Sequence, residues 1–325
     1  MHYTIILFSV ALMWFNSACT GAPDTLKFKS GIRSILQDSK GNYWFGSDQE
    51  GVCRFDGKRF SYYTPDNGFC GNQVIYIKED KTGLIWFGTS SGLCSFDGRK
   101  FTAVTDRYSF PIPISDSRKY DSWAITSTDL WFPGSNNHEL IRIDNGKSFT
   151  IKYPIEIPAK GNRVDYGITG FSKSKKGGLW VAHYSGVGYY DGQTFQFISD
   201  STLNYDGESK YLHVRSILED SRGRLWIGNN GIGILLKEKD SIIPFSIPRH
   251  IFVIKEDSKG NIWFGDRDTG AWRYDGKEMR NFVLDSTLNS QHIWDIYEDR
   301  NGNLLFASGD RGVYQFNGNG FDKAF

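Results

Sequence analysis

The run Ile35-Leu36-Gln37-Asp38-Ser39-Lys40-Gly41-Asn42-Tyr43-Trp44-Phe45-Gly46 returns as Ile77-Lys78-Glu79-Asp80-Lys81-Thr82-Gly83-Leu84-Ile85-Trp86-Phe87-Gly88. It returns again over 217–228, 254–265 and, with Leu305 in place of Trp, 296–307. Two degenerate copies centre on Trp131 and Trp180. The anchors 44, 86, 131, 180, 226, 263 and 305 lie 37 to 49 residues apart, so seven units fill 31–325. Each unit reads as four antiparallel strands. The first is apolar and ends at the acidic pair, and a tight turn follows in which Gly and Asn supply left-handed positions. The second is the Trp-Phe-Gly run. The third closes at a hairpin signature (Asp56-Gly57, Asp97-Gly98, Asp191-Gly192, Asp275-Gly276, Asn317-Gly318), and the fourth is short. One such sheet cannot bury both faces, so repetition at this period predicts an all-β, seven-bladed β-propeller with the Trp and Phe stripe between blades. Residues 321–325 are expected to form a curtailed last strand, to which 25–30 could add as a latch.

Composition bounds the function. The chain has 325 residues, with 38 basic against 37 acidic side chains, so no general basic field holds nucleic acid. Residues 3–15 are apolar apart from Thr4 and Ser9, the length of a signal-peptide core and too short to span a bilayer. They lead into Asn16-Ser17-Ala18-Cys19, which resembles the bacterial lipobox although Asn16 stands where Leu is usual and Met1-His2 lacks Lys or Arg. The expected organisation is a signal peptide over 1–18, a lipid on Cys19, a short linker over 19–30 and the propeller over 31–325. The lipid would be the sole membrane contact. Of the remaining cysteines, Cys53 and Cys94 share one repeat position on neighbouring units. Together with Cys70 they make an odd count, so no disulfide framework is expected and both are read as small buried core residues.

The runs Glu-Asp-x-x-Gly-x-x-Trp-Phe-Gly and Gly-x-x-x-Phe-Asp-Gly-Lys-x-Phe resemble the two-component regulator propeller repeat, over nearly the whole mature chain. That family supplies periplasmic sensor regions of hybrid two-component systems, often tied to carbohydrate use. The resemblance implies an exported sensor, periplasmic or an outer-membrane lipoprotein of a Gram-negative bacterium. Family sensors continue into a membrane span and a kinase. This sequence stops at Phe325, so the expectation is that a membrane-bound signalling protein acts as partner.

In such a blade the uniform turns, Asp-x-x-Gly and Asp-Gly, share one face. The connections of variable length share the other, where a ligand is expected at the mouth of the central channel. His213, His250 and His292 occupy one repeat position there, just before the first strand, and Gln73 takes it in the second unit. They suit an anionic or polyhydroxy ligand. Neighbouring first strands stand too far apart for metal–nitrogen bonds of about 2.0–2.1 Å. Arg107, Tyr120 and Trp123 in the longest connection, Asn136 and His138 after the third Trp, His183 and Tyr184 after the fourth, Asn229 after the fifth, and Asp266 and Arg267 after the sixth complete the candidates. Aromatic platforms beside amides, carboxylates and guanidinium groups suit sugars. The repeated Asp38, Asp80, Asp220, Asp257 and Asp299 are expected to bond turn amides and to take no acid–base role.

Three functions fit: a non-catalytic module binding a small molecule such as an oligosaccharide, a protein-interaction scaffold, and a propeller lyase. Streptogramin lyases have similar Trp-Phe repeats, but His213, His250 and His292 fall earlier in the repeat than the His of that family, which ranks the lyase last. No phosphate loop, metal-binding Cys/His spacing or serine-nucleophile motif is present, so no cofactor is expected.

Overall fold

The computed structural model of the protein describes residues 25–104, 108–110, 125–134, 139–152, 167–184, 186–198, 203 and 212–325. Seven four-stranded sheets form a seven-bladed β-propeller. In six blades the strands follow chain order as an antiparallel meander, so the sheet order is the sequence order. Their first strands are Ile32–Gln37, Val74–Glu79, Ile168–Lys173, Val214–Glu219, Ile251–Glu256 and Ile293–Glu298 (blades 1, 2, 4, 5, 6 and 7). Each packs beside the first strand of its described neighbour, and blade 7 meets blade 1 in the same way. The Gly of Trp-Phe-Gly makes this approach possible. A methyl group on Gly46, Gly228 or Gly265 would come within 2.6–2.8 Å of Val74, Ile251 or Ile293 of the next blade.

Blade 3 departs from the expected pattern at its edge. Leu130–Pro133, Glu139–Asp144 and Lys147–Lys152 are antiparallel, but the fourth strand, Tyr108–Phe110, lies parallel to Lys147–Lys152. The connection leaving blade 2 is long enough to run along the outer edge of blade 3 before the chain enters that sheet.

The repeated Trp is the inter-blade core. Trp44, Trp226 and Trp263 are at most 1% exposed. Each sets its ring against two aromatics of the following blade: Phe87 and Phe96, Phe264 and Tyr274, Phe306 and Phe316, at 4.8–5.5 Å. The indole N–H would be orphaned there, and the repeated Asp removes the problem. Asp38, Asp80, Asp220 and Asp257 each accept from the Trp Nε1 six residues on, at 2.8–2.9 Å, and from amides of their own turn. The aspartates bond their turn amides, as read from the sequence, and they also hold the inter-blade indole, which that reading did not include. In blade 7 Leu305 has no indole, and Asp299 accepts from the Tyr43 hydroxyl of blade 1 at 2.7 Å instead.

A second contact ties blade to blade. The Glu ending a first strand accepts the amide after the Asp position of the preceding blade: Glu79 from Ser39, Glu219 from Lys175 (after Ser174, which stands in for the Asp), Glu256 from Ser221 and Glu298 from Ser258, at 2.6–2.9 Å. Gln37 takes this position in blade 1 and accepts the Arg300 amide of blade 7 at 3.0 Å, so the ring closes with its ordinary latch. In blade 4 the position is Lys173, which reverses the charge and pairs with Asp129 of blade 3 at 2.7 Å.

Closure needs no added strand. Phe321–Ala324 is a regular fourth strand, and Phe325 fills the seam left by Leu305, its ring 4.8–5.6 Å from Phe45, Tyr43 and Phe55. Residues 25–30 form no strand. They are pinned by Tyr62 and Glu50 of blade 1, with Phe28 set edge-on to Tyr62 at 5.3 Å.

Cys70 and Cys94 form a disulfide, Cα–Cα 6.2 Å, which corrects the reading of Cys94 as a plain core residue. Counting equivalent repeat positions misses it because Cys70 lies in the variable connection after blade 1, which folds back over the third strand of blade 2. Cys53 is buried, as expected. Replacing Cys70 and Cys94 by Ser is expected to cost about 3 kcal/mol, from the entropy of a closed loop spanning 24 residues. The melting temperature of the double variant against oxidised wild type reads this out, and equal values contradict it.

Candidate functional site: the mouth of the central channel

His213, His250, His292 and Gln73 do hold one structural position. Their carbonyls accept the amides of Asn230, Arg267, Gly309 and Ser90, joining the start of each first strand to the end of the second. Their side chains then diverge. His213 is exposed, 5.5 Å from the Tyr184 ring. His250 Nδ1 bonds Asp268 Oδ2 at 2.7 Å, and Arg267 bonds the same carboxylate. His292 stacks on Trp294 at 4.1 Å, and Gln73 donates to Asp48 Oδ1 at 2.9 Å. Among the described residues no three His, Cys, Asp or Glu side chains are placed to hold a metal ion.

Three candidates turn out to be internal. His183, Asn229 and Asp266 are 0–1% exposed and occupy one repeat position, directly after the Trp-Phe-Gly run, together with Ser47, Thr89 and Ser308. Asn229 donates to the Gly233 carbonyl, and Asp266 accepts the amides of Asp268 and Thr269. His183 lies against Phe197 at 5.1 Å. These side chains close or pack the turn after the second strand and do not face the channel. Cys19, Arg107, Tyr120, Trp123, Asn136 and His138 lie outside the described residues.

Burial pushes the His183 imidazole down to about 4 from its ordinary 6.5. Between those two values the unfolded chain binds a proton that the folded one refuses, so stability falls as pH is lowered through that window. Asp295, pushed up to about 6 by burial, acts with the opposite sign below that pH, but equally in a variant that keeps it. His183→Phe is therefore expected to flatten the slope of melting temperature against pH between about 6.5 and 4 relative to wild type. Parallel profiles contradict the assignment.

The residues that do face one another come from a position the sequence reading passed over. In every described first strand the pairing slips by one residue near the start, between Ile32 and Ser34, Val74 and Tyr76, Ile168 and Gly170, Val214 and Ser216, Ile251 and Val253, and Ile293 and Asp295. A bulge releases its extra residue from the ladder and re-aims its side chain. The extra residues are Arg33, Ile75, Thr169, Arg215, Phe252 and Trp294. Around blades 1, 7, 6 and 5 they read cation, aromatic, aromatic, cation. The Arg33 guanidinium lies 4.0 Å over Trp294, and Trp294 meets Phe252 edge-on at 5.2 Å. Phe252 is 5.0 Å from the Arg215 guanidinium, whose other contact is the Tyr184 ring at 4.7 Å. His292 wedges against both Phe252 and Trp294. Gly309 gives it room, because a Cβ there would sit 2.9 Å from both His292 and Trp294. All of these side chains are half-buried.

The electrostatics of this arc are uneven. Burial, then the charges of Arg267 and Arg33, push His292 down to about 4, so the imidazole is neutral at neutral pH. Arg33 is compensated by Asp48, which accepts from its Nε. Among the described residues no carboxylate pairs with Arg215. Tyr76 reaches across to the Thr169 carbonyl at 3.2 Å, and burial pushes its phenol up to about 12, so it stays protonated. Farther round the channel burial pushes the Lys78 ammonium down to about 8, and it donates to the Trp131 carbonyl at 2.9 Å. The half-buried mouth can therefore stack an apolar ring face, donate hydrogen bonds and offer the charge of Arg215, which no carboxylate among the described residues pairs.

The pattern of the two component regulator propeller family matches residues 28–49, 68–91, 209–231 and 287–310. Each matched stretch of this repeat runs through the bulge of a first strand, in blades 1, 2, 5 and 7, where the residues are Arg33, Ile75, Arg215 and Trp294. The repeat thus sets the backbone and leaves the channel-facing side chain to differ. Among solved structures, the extracellular domain of a hybrid two component system of B. thetaiotaomicron is similar, with TM-score 0.64 and 20% identity over 88% of this chain. This chain spans 38% of that one. Virginiamycin B lyase of Staphylococcus aureus is also similar, with TM-score 0.61 and 17% identity over 87% of this chain and 94% of the lyase. These likenesses are of fold. No curated protein sequence matches the chain.

Proposed function

We propose that this chain is an exported, non-catalytic sensor propeller that takes an oligosaccharide at the channel mouth and hands the binding event to a membrane-bound signalling partner. The observation that carries the reading is the half-buried arc of Arg33, Trp294, Phe252 and Arg215, built on one repeat position, with Tyr184 of blade 4 set against Arg215. Aromatic faces stack on the C–H faces of pyranose rings, while guanidinium and phenol groups hydrogen-bond hydroxyls. The similarity to an extracellular domain of a hybrid two component system supports export and a signalling context. The carboxylate facing His250 is already held by Arg267, which supports a non-catalytic role.

Thermal shift of the purified chain against neutral and acidic oligosaccharides tests the reading. A ligand at a hundredfold excess over its Kd stabilises the native state by about 2.7 kcal/mol, so a sugar-specific rise in melting temperature is expected. No rise with any oligosaccharide overturns the sugar reading and leaves the protein-interaction scaffold.

A further inference from the structure

Arg33 and Arg215 stand at the same repeat position, one in blade 1 and one in blade 5. In blade 1 the guanidinium is already occupied, since Arg33 Nε donates to Asp48, and Asp48 is further held by Gln73. In blade 5 the residue at the position of Asp48 is Asn230. It has the same backbone bond, its amide to the His213 carbonyl at 3.0 Å, as Asp48 has to Gly31. With that one change from carboxylate to amide, no carboxylate among the described residues takes the place by Arg215 that Asp48 takes by Arg33.

The rest of Arg215 is committed. Its faces lie against Tyr184 and Phe252, and Nη1 donates to the Tyr184 hydroxyl at 2.7 Å. Nε is shielded from solvent and has no hydrogen-bond partner, and the Asn230 Oδ1 is likewise buried without one. A buried donor left unmade costs about 1–3 kcal/mol, more for a charged group. An acceptor that displaces what shields it would relieve that cost. The Nε–Nη2 edge of a stacked guanidinium is the fork that carboxylate and sulfate oxygens fit in pairs.

We propose that Arg215 receives an oxyanion, the carboxylate or sulfate of an acidic oligosaccharide, where blade 1 uses its own Asp48. This rests on the sugar-binding reading above and narrows it to acidic sugars.

The test is calorimetry on the full chain with three probes: tetragalacturonic acid for the carboxylate, κ-neocarratetraose sulfate for the sulfate, and galactotetraose as the neutral control. At least one acidic probe is expected to bind about tenfold or more tighter than galactotetraose, a difference of about 1.4 kcal/mol. That preference is expected to weaken with added salt. Arg215→Gln is expected to abolish the preference while galactotetraose binding persists. Asn230→Asp, which rebuilds the internal carboxylate of blade 1 and keeps the fold, is expected to do the same. Equal binding of acidic and neutral probes by wild type, or a preference that survives Arg215→Gln, overturns the oxyanion site and leaves the sugar reading standing. Binding of none of the three overturns both.

Discussion

Replacing Asp220 by alanine is expected to destabilise the propeller by about 3–5 kcal/mol, the cost of stranding a buried charge by removing its partner. Asp220 is fully buried and accepts from the Arg222 and Arg224 amides, from Arg224 Nε at 2.7 Å and from Trp226 Nε1 at 2.8 Å. Alanine leaves the Arg224 guanidinium and the indole N–H unpaired inside the seam between blades 5 and 6. Asp257→Ala is the matched comparison. It strands Trp263 Nε1 and the Asn261 side chain but no charge, so its cost should fall to about 1–3 kcal/mol. Melting temperatures read the two, with a drop of about 5–10 °C for Asp220→Ala. Equal effects would show that the Arg224 charge adds nothing to the seam.

The second large effect is on binding. The double variant Phe252→Ala/Trp294→Ala is expected to lose about a hundredfold or more in affinity for the oligosaccharide that shifts wild type most, about 2.7 kcal/mol. Each ring offers a large apolar face, and the pair also braces the two guanidinium groups. Because both side chains are half-buried, the fold should survive with a modest loss of stability. Trp294→Phe keeps a stacking face and should retain part of the affinity, which separates loss of the platform from collapse of the mouth. Calorimetry on the three proteins decides, and wild-type affinity in the double variant contradicts a role for the arc.

The fold could be read from the sequence because one local pattern, repeated, dictates both strand and partner. Asp38 and Trp44 sit six residues apart in every clear copy because a five-residue turn brings the carboxylate to the indole. Deviations obey the same chemistry. Where Trp180 lacks the Asp, its Nε1 turns to Glu219 of the next blade at 2.6 Å. The edge strand at Tyr108–Phe110 and the Cys70–Cys94 bridge were not legible, since both arise where an irregular connection folds back on a neighbouring blade. The site was half legible. The repeat points to the channel mouth and to the position of His213, His250 and His292. The bulge two residues later depends on a slip in pairing that alternation does not encode. That slip exchanges the expected His cluster for Arg33, Arg215, Phe252 and Trp294. Burial likewise withdrew His183, Asn229 and Asp266, whose polar character in the sequence reflects turn closure.

The bulge residues at the variable mouth of the channel are the proposed ligand platform. The crystal structure of the chain with its tightest oligosaccharide tests it most directly. A sugar ring stacked on Trp294 or Phe252 within reach of Arg215 and Tyr184 is the expected result. A sugar bound at the face of the Asp-Gly turns, or on the blade rims, with the arc untouched, would contradict it.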